Sequence, residues 1–131
     1  MATRERPLSP HLQVYRWQIQ MVTSILHRAT GICLSVGALI IAGGLLALMM
    51  GPESWTCFTD HAGAWYGKLF LFVWSWAFSY HLCNGLRHMA QDFAIACSVP
   101  AFVRTSWTAV ICSLIFTALI WTYVLMSGGA A

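Results

Sequence analysis

Two histidines and an arginine in residues 81–92 are the side chains of this sequence best suited to chemistry. The segment reads His81-Leu-Cys-Asn-Gly-Leu-Arg-His-Met-Ala-Gln-Asp92 and follows an apolar, aromatic run over residues 69–80. Ionisable groups beside such a run lie at or near membrane depth, where they are costly and mark functional sites. From spacing alone, His81 fits two interpretations equally: a metal ligand, or a structural histidine hydrogen-bonded to a neighbouring helix.

The spacing of the two histidines limits how they could bind a metal. His88 follows His81 by seven residues, close to two helical turns, so both side chains lie on one face about 10 Å apart along the axis. That separation is too large for both to ligate one ion, and a metal at His81 needs another ligand from elsewhere. Gly85, on the same face, leaves room for a flat macrocycle, and His88 would lie nearer the headgroups.

A second group of polar residues, Ser24, His27 and Arg28, comes just before the first apolar run. Ser24 and Arg28 are one turn apart on one helix face, and both can donate a hydrogen bond to a carbonyl oxygen of an amphiphile such as a quinone. His27 projects about 100° away from Arg28 and could contact a different ligand. From spacing alone, the favoured role of Arg28 is to reach anionic headgroups.

Composition indicates a membrane protein. Of the 131 residues, 59% are hydrophobic and 8% are charged, whereas soluble domains are about 25% charged. The net charge of +3 is too small and too scattered to indicate nucleic-acid binding. The cysteines form neither C-x-x-C nor C-x-x-C-H, which excludes a zinc ribbon, a thioredoxin-like site and covalent c-type haem attachment.

The apolar runs predict an all-α membrane protein with three transmembrane helices, at about residues 22–50, 64–93 and 105–126. Loops are predicted over residues 51–63 and 94–103. Residues 1–20 form a basic, proline-containing segment expected to lie at the membrane interface, and residues 21–131 form the three-helix anchor domain. No signal peptide is predicted, because the first 20 residues lack an apolar core.

Basic residues predict the orientation of the helices. All the basic residues except Lys68 are predicted on one side of the membrane. These are Arg4, Arg6, Arg16, Arg28, Arg87 and Arg104. The N-terminus is therefore expected in the cytoplasm or matrix and the C-terminus outside. The first helix then begins, and the second ends, at the inner face, so His27 and Arg28 should lie close to His81 and His88.

These segments resemble the cytochrome b large membrane-anchor subunit of succinate dehydrogenase (succinate:quinone oxidoreductase, respiratory complex II). Residues 6–15, RPLSPHLQVY, resemble the leader of that family. Residues 24–31 resemble its S-I-x-H-R-x-[ST]-G signature, and residues 81–92 resemble its H-x-x-N-G-x-R-H-x-x-x-D block. The resemblance covers nearly the whole chain; Gln91 departs from it where many members have an aromatic residue.

The resemblance implies a role for each matching residue. His81 matches the axial ligand of a b-type haem whose other axial histidine comes from the small anchor subunit. Ser24 and Arg28 match residues of the ubiquinone site. His27 and His88 match positions near the haem propionates, which Arg28 could also contact. Asp92 is expected to be structural, paired with Arg87, with His88 or with a partner subunit.

The resemblance also implies partners: a flavoprotein subunit, an iron–sulfur subunit and a second, small anchor subunit, in a bacterial or mitochondrial inner membrane. The chain itself has neither a dinucleotide fingerprint nor a cluster-type cysteine set, so it does not oxidise succinate. It would instead help to pass electrons from succinate to ubiquinone. Two alternatives remain at this point: a haem-free structural anchor, and an unrelated transporter subunit that uses His81 and His88 as a proton relay.

Overall fold

The computed structural model describes residues 15–128, which form four α-helices and their connections. In chain order these are α1 (Ile19–Met50), α2 (Pro52–Gly63), α3 (Trp65–Asp92) and α4 (Val99–Met126). The expected all-helical class is confirmed. Most of the predicted interfacial segment, residues 1–20, lies outside the described residues, and α1 begins at Ile19.

The loop predicted over residues 51–63 is wrong, because this segment is the helix α2. Pro52 occupies the first turn, where its missing N–H costs no helical hydrogen bond, and Glu53 in the same turn complements the helix dipole. Gly51, with φ 119°, makes the break between α1 and α2. The sequence reasoning took the Gly-Pro pair as the start of a loop, whereas it separates two helices.

The start of the last helix was also predicted too late. α4 begins at Val99 rather than near residue 105, because Pro100 lies in its first turn, a position that tolerates proline. The connection from α3 is correspondingly short. Ala94 and Ala96 in it have φ near 58° and 59°, the left-handed region that non-glycine residues seldom adopt.

The three long helices alternate in direction. The beginning of α1 contacts the end of α3 through His27 and His81. Near the opposite end of α3, Ser75 accepts a hydrogen bond from Trp121 near the end of α4. We call the end that carries His27, His81 and His88 the histidine end. The other end, which carries α2, is called the α2 end. The expected convergence of the α1 start with the α3 end is therefore observed.

The interior of the bundle is small and polar, and its exterior is large and apolar. Within residues 15–128 the buried apolar side chains are Ala77, Tyr80 and Ala109. The buried polar and charged side chains are Thr23, Thr30, Ser79, Asn84, Arg87, Ser106, Ser113 and Thr117. Large aliphatic and aromatic side chains are exposed along every long helix. Small residues inside and large apolar residues outside suit helices surrounded by lipid.

By length and composition, α1 and α4 are apolar enough to cross a membrane. At 1.5 Å per residue, α3 is about 42 Å long, which also exceeds the bilayer core of about 30 Å. However, α3 carries Lys68, Arg87 and Asp92 and is more polar than α1 and α4. Three spans and the inside position of the N-terminus therefore stay predictions.

Candidate functional site

Three imidazole rings meet at the histidine end. The rings of His27 and His81 are stacked, with centroids 3.9 Å apart and planes within 14° of each other. The ring of His88 lies 5.2 Å from that of His27 at a tilt of 52°. His27 of α1 thus contacts both histidines of α3. The sequence predicted only that the three residues lie at the same end of the bundle.

The orientation of His81 is set by hydrogen bonds to α1. Its Nδ1 lies 3.2 Å from the His27 carbonyl oxygen and 3.3 Å from the Thr30 hydroxyl oxygen. The Thr30 hydroxyl donates to the carbonyl oxygens of Leu26 and His27. With its proton used there, the hydroxyl acts as an acceptor, and Nδ1 of His81 is the donor. The neutral ring then carries its free lone pair on Nε2.

An imidazole held in this way is prepared for a metal. Metal-bound histidines typically donate their other ring N–H to a carbonyl or carboxylate, which fixes the tautomer and raises the basicity of the ligating nitrogen. Half-buried His81 has such a contact, from Nδ1 to the His27 carbonyl oxygen. Both interpretations offered by the sequence are compatible with this geometry: Nδ1 bonds a neighbouring helix, so Nε2 is the nitrogen that could ligate a metal.

Two glycines make room for the imidazoles. A Cβ at Gly31 would lie 3.2 Å from Cε1 of His81, closer than side chains normally approach. A Cβ at Gly85 would lie 3.8 Å from Cε1 of His27, an ordinary contact. Gly31 therefore permits the close approach of α3 to α1, whereas the space beside Gly85 is bounded by the His27 ring.

The described residues do not form a complete metal site. They contain no group of three or more histidine, cysteine or carboxylate side chains arranged to hold an ion. Stacked His27 and His81 cannot face each other across an iron. The side-chain Nδ1 of His27 is buried without a hydrogen-bond partner, so a polar group from outside the chain would be favourable beside it. The donor set fits a haem held between two chains.

Ser24 and Arg28 lie one turn apart in α1, on either side of His27 in sequence. Ser24 is half-buried and Arg28 is exposed on the surface of the single chain. The structure therefore places the predicted quinone-site residues next to the histidine cluster, with the guanidinium outside the bundle. Any ligand of Arg28 would lie against this outer surface of α1.

Sequence reasoning missed a buried hydrogen-bonded group on the neighbouring face of α3. Arg87 donates from Nε to the Thr105 hydroxyl (3.2 Å) and from Nη1 to Oδ1 of Asn84 (3.2 Å). About two turns before Arg87, the Tyr80 hydroxyl donates to the Thr23 carbonyl oxygen at 2.9 Å. Of the three partners considered for Asp92, Arg87 is not observed in that role, and its described hydrogen bonds go to Thr105 and Asn84. The spacing of residues 80, 84 and 87 places them on one face of a helix. This spacing was the sequence signal that could have revealed the buried polar group.

These features define a helical protein of membrane type with three imidazole rings clustered at one end, and relatives of the chain identify its family. A sequence model of the succinate dehydrogenase/fumarate reductase transmembrane subunit family matches residues 2–120. The succinate dehydrogenase cytochrome b556 subunit of Rickettsia felis is 38% identical over 117 residues, covering 89% of this chain and 91% of that protein. The subunit of the same name from Paracoccus denitrificans is 35% identical over 114 residues, covering 87% and 88%.

A mitochondrial relative extends the comparison. The succinate dehydrogenase cytochrome b560 subunit of Sus scrofa is 32% identical over 124 residues, covering 84% of this chain and 66% of that protein. The chain therefore belongs to the family of succinate dehydrogenase/fumarate reductase transmembrane subunits, as a cytochrome b anchor subunit of complex II. This membership removes the alternative of an unrelated transporter subunit.

Proposed function

We propose that this anchor subunit binds a b-type haem through Nε2 of His81 and forms part of a ubiquinone-reduction site at the same end of the bundle. The observation that carries the proposal is the hydrogen bond from Nδ1 of His81 to the His27 carbonyl oxygen. It fixes the tautomer that leaves Nε2 free as a ligand. The relatives named as cytochrome b subunits support a haem in this family.

The residues around His81 would bind and orient the haem. The second axial histidine would come from the small anchor subunit. His27, Arg28 and His88 would lie near the propionates, where cationic or hydrogen-bonding side chains neutralise carboxylates. When bound, a haem with two histidine ligands supplies one-electron transfer without an open position for oxygen. Thr30 and His27 would hold the imidazole of His81 in a fixed orientation through their contacts with its Nδ1.

Ser24 and Arg28 would form this chain's share of the quinone site. Because Arg28 is exposed on the single chain, the remainder of the pocket would come from the iron–sulfur subunit and the small anchor subunit. The guanidinium and the hydroxyl would donate hydrogen bonds to a quinone oxygen. A fixed positive charge there favours the anionic, partly reduced quinone. Electrons would arrive from succinate through the flavoprotein and iron–sulfur subunits.

The proposal includes three membrane spans in an inner membrane, bacterial or mitochondrial. α3 would be the third span, because it packs against both α1 and α4 and its ionisable residues other than Lys68 lie towards the histidine end or in the bundle interior. The arginines near the histidine end, Arg16, Arg28, Arg87 and Arg104, support an orientation with this end towards the cytoplasm or matrix. Lys68 lies near the α2 end.

A reduced-minus-oxidised optical spectrum of the purified complex tests the haem. We expect a b-type band in the wild type and its loss in His81→Ala, because the iron loses one axial ligand. His61→Ala is the matched control: His61 is an exposed α2 histidine that bonds within its own helix, to the Cys57 carbonyl oxygen. The control should keep the band unchanged.

The outcomes separate haem binding from the haem-free alternative. If the wild-type complex contains all its subunits but shows no b-type band, this chain is a haem-free structural anchor. Only the proposed quinone site would then remain. A band that survives unchanged in His81→Ala shows that another residue ligates the iron. Subunit composition by gel electrophoresis distinguishes either result from failed assembly.

A further inference from the structure

Arg87 is a buried cation whose described partners are all neutral. Its side chain is 8% exposed and donates to Thr105 and Asn84. The guanidinium carbon also lies 4.4 Å above the centre of the Phe102 ring. These contacts orient the guanidinium and satisfy part of its hydrogen-bonding capacity, but they cancel none of its charge.

The carboxylates of the described chain lie elsewhere. Glu53 and Asp60 belong to α2 at the other end of the bundle, and Asp92 is exposed at the last turn of α3. In addition, Nη2 of Arg87 and Nδ2 of Asn84 are buried without an acceptor among residues 15–128. A buried charge without a counter-charge is energetically costly. An ionisable residue of this kind in a membrane helix is therefore a candidate for a functional role.

The position of Arg87 relative to His81 suggests that function. Arg87 is six residues beyond His81 on the same helix, a rise of about 9 Å, and its side chain leaves the helix about 120° away from that of His81. The two side chains therefore do not touch. They are close enough for a charge to act through space in an interior where water does not screen it.

We propose that Arg87 is an electrostatic tuning residue that raises the reduction potential of the haem held by His81. This inference rests on the proposed haem function. A ferric haem core with two neutral imidazoles carries one net positive charge, and the ferrous core carries none. A buried positive charge disfavours the ferric form more than the ferrous form, so it favours reduction. Burial and nearby charge are recognised determinants of haem potential.

Potentiometric titration of the haem absorbance in the purified complex tests the proposal. Arg87→Met keeps an unbranched side chain and removes the charge, and we expect the midpoint potential to fall. Arg87→Lys keeps the charge and should hold the potential close to the wild-type value. Arg104→Met is the matched control, because Arg104 is an exposed arginine of α4. Its charge is screened by solvent and headgroups, and the potential should move little.

A second variant tests the same charge without removing the arginine. In Thr105→Asp, the new carboxylate replaces the hydroxyl that accepts from Nε of Arg87, and it neutralises the guanidinium in place. We expect a fall in midpoint potential in the same direction as for Arg87→Met. This variant decides the question if Arg87→Met does not assemble.

The results separate this inference from the proposed function. An unchanged potential in Arg87→Met or Thr105→Asp, with an intact b-type spectrum, overturns the tuning role and leaves haem binding standing. Equal falls in Arg87→Met and Arg87→Lys overturn it as well, because charge is then not the cause. Absence of a b-type band from the wild-type complex defeats the haem proposal itself.

Discussion

The histidine end and the α2 end of the bundle are held together by different contacts. At the histidine end, helices meet through directed hydrogen bonds, as from Tyr80 to Thr23 and from Arg87 to Thr105. At the α2 end, aromatic rings pack onto glycines, as Trp74 does on Gly37. The one polar contact described between long helices there is Trp121 to Ser75.

The difference shows how a membrane protein divides its tasks. Lipid provides no hydrophobic force to join helices, so they associate by close backbone approach or by polar contacts. Glycine–aromatic packing serves the α2 end, where it borders an open apolar cavity of about 430 Å³. The polar contacts of the histidine end orient side chains as well as join helices, and the candidate site lies there.

The largest structural effect is expected from a substitution at the α2 end, Gly37→Leu. A Cβ at this position would overlap the indole ring of Trp74. Overpacking of this kind costs about 1–3 kcal/mol or more, and the rigid ring cannot move aside as a flexible chain would. We expect low yields of assembled complex and a lower denaturation temperature.

Gly43→Leu is the matched control for that substitution. Gly43 lies on the same helix and faces open space, since a Cβ added there would have nothing within 4 Å. The substitution should be tolerated, because replacing a helical glycine gains up to about 1 kcal/mol of helix propensity. Equal damage from both substitutions would show that close packing on Trp74 does not hold the α2 end.

A more selective effect is expected at the histidine end, from Ser24→Ala and Arg28→Leu. Because Arg28 is exposed and Ser24 is only half-buried, the fold should survive. Succinate-driven quinone reduction should drop by tenfold or more, about 1.4 kcal/mol of barrier. Succinate oxidation with an artificial electron acceptor should persist. Parallel assays of the two activities in the purified complex make the comparison.

Controls for these two variants come from the same chain. Ser35→Ala removes an exposed serine of α1 that bonds within its own helix, and Arg104→Leu removes an exposed arginine of α4. Both should keep full quinone reduction. Loss of both activities together in the Ser24 or Arg28 variant would indicate failed assembly, and full retention of quinone reduction would remove these residues from the site.

The smallest effect is expected from Tyr80→Phe. It deletes one buried hydrogen bond, to the Thr23 carbonyl oxygen, and a typical bond of this kind contributes about 0.5–1.5 kcal/mol. The denaturation temperature of the complex should fall slightly. Tyr66→Phe, at an exposed position of α3, should cause no change, and an equal response of the two variants would deny a structural role to the Tyr80 hydroxyl.

Part of the fold and site could be predicted from the sequence. Long uncharged runs indicated α1 and α4, because a chain in lipid must satisfy its backbone hydrogen bonds within helices. Alternation of helix direction then brought His27 to the level of His81. α2 was missed because its short, mixed sequence has no apolar run, and it forms where Pro52 starts a helix and Phe58 covers Gly44.

The sequence by itself determined that the chain is a helical membrane protein of its family and which imidazoles and guanidinium groups gather at one end. Residue type and helical period are local properties, and they are enough for that. Only the tertiary structure decided that Nδ1 of His81 is bonded to α1 and that Arg87 is buried among Asn84, Thr105 and Phe102. Those facts depend on the angles at which helices pack, which arise from contacts between residues distant in sequence.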